Sequence, residues 1–226
     1  MITRPTTDRG RATVARVLDA ACVLFAKQGV RATTLDEIGA AAGVGRGQLY
    51  HFFADKADLV ADVVGLQVER IIDSMRPAID AMSTANDVRD FCEAIIGLHS
   101  SSSDRIRCPL GSLVPQLDHN DAAARAVLKA GFIQWEALLA DGLRRVADSG
   151  DLTPGTDPVV LAGGLLAAYQ GGMLLADVSG DVEPLRRALH TVVAAGLAPT
   201  VSASSRSPNR PRRRRPHRTA SGTRAE

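Results

Sequence analysis

The densest run of side chains able to recognise another molecule lies between Thr33 and Lys56, TTLDEIGAAAGVGRGQLYHFFADK. Arg46 can fork onto O6 and N7 of guanine, and Gln48 can pair with N6 and N7 of adenine. Tyr50, His51, Thr33 and Lys56 supply donors where phosphates would lie at the rim of such a contact. Gly47, between the two base-reading candidates, either belongs to that surface or serves only the backbone. His51 also fits a plain surface histidine, and Tyr50 a ring lying over the core with its hydroxyl in water. Other chemistry finds little footing. The sequence has no HExxH, CxxC, GxSxG or glycine-rich phosphate loop, which argues against an enzyme. His99 and His119 lack partners at metal-ligand spacing, so neither a metal nor a cofactor is expected. Asp118 to Asp121 reads as a solvated turn and helix cap.

Three helices must position that run. The first spans about Thr13 to Gln28, with Val14, Val17, Leu18, Ala21, Leu24 and Phe25 three and four apart on one face and Gly29 as its stop. The second opens at Thr34, where Thr34 and Glu37 have the spacing of a capping box and Asp36 and Glu37 suit the positive end of the helix dipole. It ends near Ala42 before Gly43. The third runs from about Arg46 to Phe52. Two short helices around a glycine-containing turn form a helix-turn-helix pattern. Gly39 and Ala40 to Ala42 let the pair approach closely, while Ile38, Val44 and Leu49 pin the angle. The second member then presents Arg46, Gln48 and His51 outward, a face that fits the major groove of double-stranded DNA. Backbone amides at the two helix N-termini favour phosphate as well.

The rest of the chain reads as helical. Expected helices cover Lys56 to Met82, interrupted by Pro77, then Asp87 to His99, Pro109 to Leu117 as a short helix or turn, and Asp121 to Asp148. Asp157-Pro158 and Glu183-Pro184 open two more, since proline suits the first helical position. The fold class is all-α. The expected division is a flexible arm at 1–10, a DNA-binding head at 11–55, a helical body at 56–198 and a disordered tail at 199–226. The 226 residues are 45% hydrophobic, 23% charged and 4% aromatic, which excludes collagen-like, coiled-coil-only and wholly disordered chains. Three cysteines fit a reducing cytoplasm, and the opening residues lack the apolar run of a signal peptide. The net charge of +2 hides an asymmetry: +3 over residues 1–56, −8 over 57–198 and +7 over 199–226. A basic head or tail suits a polyanion that an acidic body would repel. The arginine-rich tail is either a solvated terminus or a source of non-specific phosphate affinity.

Between Asp157 and Asp177 lie 19 residues without a charge. A membrane span, an internal core helix and a subunit interface compete for this segment. Four glycines, many alanines and Gln170 weaken the membrane reading, and no partner span exists. Gly164, Ala168 and Gly172, at four-residue steps, favour an interface where a neighbouring helix comes close. Leu185, Leu189 and Val192 of the last helix would join it in a four-helix dimer core. A homodimer would place two heads on two half-sites of a palindrome. For a small hydrophobic or aromatic effector, Phe91, Phe132, Trp135, Tyr169 and Met173 with Leu98, Leu113, Leu117 and Cys108 are candidate lining, and Gln134 and Gln170 candidate orienting groups. Each of these also fits plain core. Cys108 reads as buried and inert rather than as a redox sensor.

Residues 11–64 resemble the TetR family of transcriptional regulators, through RVLDAACVLFAKQGVRATTLDEI and GVGRGQLYHFFADKADLV, above all the L-Y-H-F-F-x-x-K pattern from Leu49 to Lys56. The resemblance implies that Thr34, Tyr50 and Lys56 hold phosphates and that Arg46 to His51 read bases. Three departures stand out. Gly45 replaces the usual serine or threonine, so a cap or phosphate contact is missing. Gln48 replaces a smaller residue, so the operator should differ from that of relatives. Gly39 replaces alanine, at roughly 1 kcal/mol to its helix. RCPLGSLVPQL, FIQWEALLADGL and YQGGMLLA resemble the subgroup that answers to multidrug or aromatic ligands. The expectation is a homodimeric, cytoplasmic repressor released from a palindromic operator by a hydrophobic effector. A DNA-binding regulator without a ligand, and a ligand-binding protein with a vestigial head, remain open.

Overall fold

The computed structural model describes residues 5–100, 107–117 and 121–199. Its head contains α1 (Asp8–Gln28), α2 (Leu35–Ala42) and α3 (Arg46–Phe52). The body contains α4 (Lys56–Asp80), α5 (Ala85–Ser100), α6 (Pro109–Leu113) with a 3-10 turn at Val114–Gln116, α7 (Ala122–Asp148), α8 (Pro158–Ser179) and α9 (Glu183–Gly196). No strand occurs among the described residues. A single antiparallel bridge joins Leu152 to Leu197.

α1 begins at Asp8 rather than near Thr13, because the Thr7 hydroxyl accepts the Gly10 amide at 3.1 Å and Asp8 lies at the positive end of the helix. Part of the expected free arm is thus helix. Residues 1–4 of that arm, residues 101–106, the Asp118–Asn120 turn and the tail from 200 lie outside the described residues. Pro77 sits inside α4, close to its end. The Arg145 guanidinium closes that end by donating to the carbonyls of Ile79 and Met82 at 2.6 and 3.0 Å. Asp55 opens the same helix, its carboxylate accepting the Asp58 amide at 2.9 Å.

The body is held by close helix crossings. α4 meets α7 at Gly131, where a Cβ would stand 2.4 Å from Val68 Cγ2. α8 is long and apolar enough to cross a membrane, with a mean hydropathy of 1.7, but it packs against both α7 and α9. The small residues expected at a subunit interface meet partners within the chain. A Cβ on Gly172 would lie 2.7 Å from the Leu185 Cα of the same chain, and one on Gly164 would lie 3.6 Å from its Val192 Cγ1. Leu185 and Leu189 are buried, and Ala168 and Val192 are half-buried against the same core. Gly164, Ala168, Gly172, Leu185, Leu189 and Val192 therefore form an intrachain seam. Small residues permit close approach without specifying whose helix approaches. The apolar side chains that α8 leaves exposed are Val159, Val160, Leu174, Leu175 and Val178.

Candidate nucleic-acid interface and body cavity

The helix-turn-helix angle is fixed by contacts between near neighbours. The Thr34 hydroxyl accepts the Glu37 amide at 3.2 Å, and the Glu37 carboxylate accepts the Thr34 amide at 2.7 Å. These bonds hold the Glu37 carboxyl below its ordinary range. Gly43 takes the left-handed conformation, φ 64°, that ends α2. Val44 then donates to the Gly39 carbonyl at 2.8 Å, and a Cβ on Gly39 would lie 3.0 Å from the Val44 oxygen. The helix penalty of that glycine is offset by this approach. Ile38, Val44 and Leu49 are buried as pins.

On α3, Leu49 and Phe52 face inward, while Arg46, Gly47, Gln48, Tyr50 and His51 are exposed. The Arg46 guanidinium lies 5.7 Å from the Tyr50 ring centroid, and its Nε lies 3.8 Å from Asp36. Tyr50 first, then Asp36, pushes the Arg46 pKa up and keeps it cationic. The Asp36 pair is exposed and contributes little, so Arg46 is pre-aimed but easily exchanged to another acceptor. No side chain caps Gly45 at the start of α3. Nothing lies within 4 Å of a Cβ built on Gly45 or Gly47, which leaves open space in front of the helix. The Lys56 ammonium donates to the Arg31 carbonyl at 3.3 Å, beside the α1–α2 turn.

Thr33 is not a rim residue. It is 0% exposed, and its hydroxyl donates to the Gly29 carbonyl at 2.8 Å, which ties the turn together and leaves nothing for a phosphate. Two residues without a sequence signal also serve the head. Arg16 donates from Nε to the Ala42 carbonyl at 3.4 Å, at the end of α2. Gln116 of the body accepts the Val30 amide at 2.8 Å and donates to the Ser112 carbonyl at 2.7 Å, linking the head to the segment after α6. The separation of 86 residues between Gln116 and Val30 hides that link from any local pattern.

In the body, Phe91, Trp135 and Tyr169 meet Cys92, Ile95, Leu139, Leu165, Leu166 and Leu189 around a cavity of ≈ 20 Å³. Trp135 stacks with Phe132, centroids 6.4 Å apart and planes 6° apart, and meets Tyr169 edge-on at 5.4 Å. Leu113, Leu117 and Met173 are buried nearby in the core without lining the cavity. Cys108 is buried, its sulfur accepting from Gly111 N at 3.5 Å and Gln170 Nε2 at 3.3 Å. Two expected lining residues point elsewhere. Leu98 is 69% exposed, and Gln134 is exposed on α7 because Trp135, the next residue, faces inward. Burial pushes the Cys92 thiol up to about 12 and lowers the pKa of His99, whose ring lies 6.4 Å from that of Tyr169. No cluster able to hold a metal ion occurs among the described residues.

An exposed polar helix presented by a helix-turn-helix, on a larger helical body, is the build of a DNA-binding regulator. Residues 17–63 match the bacterial regulatory proteins of the tetR family, and residues 84–192 match the tetracyclin repressor-like C-terminal domain. The transcriptional repressor Rv3405c of Mycobacterium tuberculosis is 33% identical over 171 residues, covering 68% of this chain and 90% of that protein. The transcriptional regulator AcrR of Shigella flexneri is 43% identical over 68 residues, which span 30% of this chain and only 32% of that relative. SmeT, the repressor of a multidrug efflux pump of Stenotrophomonas maltophilia, solved in complex with triclosan, is 29% identical. Its TM-score is 0.67, over 87% of this chain and 98% of SmeT. The chain belongs to the TetR family of DNA-binding transcriptional regulators.

Proposed function

We propose that the protein is a homodimeric repressor, working in the cytoplasm, that leaves a palindromic operator when a small hydrophobic ligand enters the body. The observation that carries the DNA half is the face of α3, which gathers Arg46, Gly47, Gln48, Tyr50 and His51 in solvent while Leu49 and Phe52 lock the helix from behind. Arg46 and Gln48 read base edges in the major groove. Tyr50, His51, Lys56 and the Thr34 rim hold phosphates, and the missing side chain of Gly47 admits the DNA backbone or a base edge at close range. One head makes few base contacts, so a second copy supplies the other half-site. The exposed apolar residues Val160, Leu174, Leu175 and Val178 of α8 are the surface we assign to that pairing.

The relatives named as repressors, and the triclosan complex of SmeT, support the effector half of the reading. The ligand must bind the DNA-incompetent arrangement better than the competent one, and DNA must weaken the ligand by the same factor. The Gln116–Val30 bond is a direct path between body and head. A second reading, a regulator without an effector, is favoured by one observation: the cavity beside Trp135 measures ≈ 20 Å³, far below the roughly 300 Å³ or more of ordinary ligand sites. Ligand-dependent release of DNA separates the two.

The DNA assignment is tested with two variants across a panel of duplexes. Arg46→Ala should flatten preference among bases, at about 1–3 kcal/mol, whereas Lys56→Ala should weaken every duplex alike and lower the salt slope by about one. Base preference that survives Arg46→Ala refutes the assignment.

A further inference from the structure

Trp135 carries the one buried side-chain polar atom among the described residues that meets no hydrogen-bond partner, its indole Nε1. The residue is 2% exposed, between the stacked Phe132 and the edge-on Tyr169. A buried donor without an acceptor is a standing penalty. Leucine or phenylalanine would fill the same space without it. Trp135 also lines the body cavity, whose other walls are apolar apart from the Tyr169 phenol. Burial, with Cys108 nearby, raises the Tyr169 pKa and keeps that phenol neutral. No Asp, Glu, Lys or Arg lines the space, so a charged ligand would lose its water with no counter-charge to meet it. A single water fits a cavity of ≈ 20 Å³ by size, but a buried water needs about three polar partners and these walls offer two besides the weak Cys92 thiol.

We infer that the effector is an uncharged aromatic compound bearing a hydrogen-bond acceptor at its ring edge, such as a carbonyl, ether or pyridine-type nitrogen, and that Trp135 Nε1 donates to it. The inference rests on the effector-responsive reading above and names the ligand class of that site. Flat rings suit the aromatic faces that Phe91, Trp135 and Tyr169 present to the cavity. A ring is larger than the cavity, so its entry spreads the helices that carry the lining, and the acceptor repays part of that cost.

The test uses the full-length protein and two probes of matching shape: acetophenone, and α-methylstyrene, in which a CH2 group replaces the carbonyl oxygen. Calorimetric titration should give acetophenone the tighter binding by about tenfold, the value of one buried hydrogen bond. In Trp135→Phe the preference should shrink to within about twofold, with α-methylstyrene bound as before. A second measurement avoids any folding defect in that variant. Trp135 is the only tryptophan of the chain, so isotope labelling of tryptophan gives a single indole N–H resonance. It should move downfield with acetophenone and not with α-methylstyrene. Equal affinities in the parent, a preference that survives Trp135→Phe, or a resonance already bonded to a trapped water overturns the inference while leaving an effector site in place. Failure of both probes to bind overturns the inference, while the effector reading is decided separately by ligand-dependent release of DNA. Binding with the expected preference, but with no release of DNA, upholds Trp135 as the donor to a bound ligand and overturns that ligand's role as effector.

Discussion

The head and the body are both helical, yet different distances along the chain hold them. In the head, the decisive contacts join residues three to five apart: Thr34 with Glu37, and Val44 with Gly39 across the left-handed Gly43. In the body they join residues far apart: Arg145 with Ile79 and Met82, Gly131 against Val68, Trp135 against Tyr169. The head exposes its chemistry on α3, and the body buries its own around Trp135. A surface that reads DNA needs a rigid local frame and open polar groups. A ligand site needs a core whose long-range packing can be shifted.

The largest effect is expected at the exposed face of α8. The double substitution Leu174→Glu with Val178→Glu touches side chains 66% and 80% exposed, so each chain should fold normally. Sedimentation should show monomers, and affinity for a two-half-site operator should fall about a hundredfold or more as the second head is lost. A dimer that persists moves the interface elsewhere. Next comes the glycine seam. Gly172→Val drives a side chain into the Leu185 backbone and should cost about 1–3 kcal/mol, lowering Tm by several degrees. An unchanged Tm with a weakened dimer would return Gly172 to the interface between subunits. Gln116→Ala removes the acceptor of the buried Val30 amide, at about 1 kcal/mol. DNA binding should survive, hydrogen exchange at Val30 should quicken, and release by an effector should weaken. The smallest effect sharpens the head: Gly45→Ser supplies the absent cap in open space and should gain a few tenths to about 1 kcal/mol in thermal unfolding.

How far the sequence could be read follows the same division. The Thr34–Glu37 box, the Gly43 stop and the Asp157-Pro158 start all involve neighbours in the chain, and each stands where its residues placed it. The Thr7 cap carries no periodic signal, because the Arg-Gly-Arg at 9–11 has no apolar period. Thr33 lies in a turn, where no periodicity tells inside from outside. Gln134 and Leu98 show the limit of residue type as a guide to facing. Gln134 cannot point inward beside Trp135, and Leu98 falls off the face that Cys92 and Ile96 set. The small-residue stripe on α8 was legible as a site of close approach, but its partner, the chain's own α9, was not. The Gln116 link and the unpaired Trp135 donor depend on packing across the chain and left no pattern to find.

The most direct test of the central claim is selection of bound sequences from random duplex DNA by the full-length protein at near-physiological salt. The expected result is a palindrome whose half-sites lie about one helical turn or slightly more apart, and its loss in Arg46→Ala. Recovery of no shared motif, with binding that fades as salt rises, would mean that general phosphate attraction governs the interaction and would contradict specific operator recognition by α3.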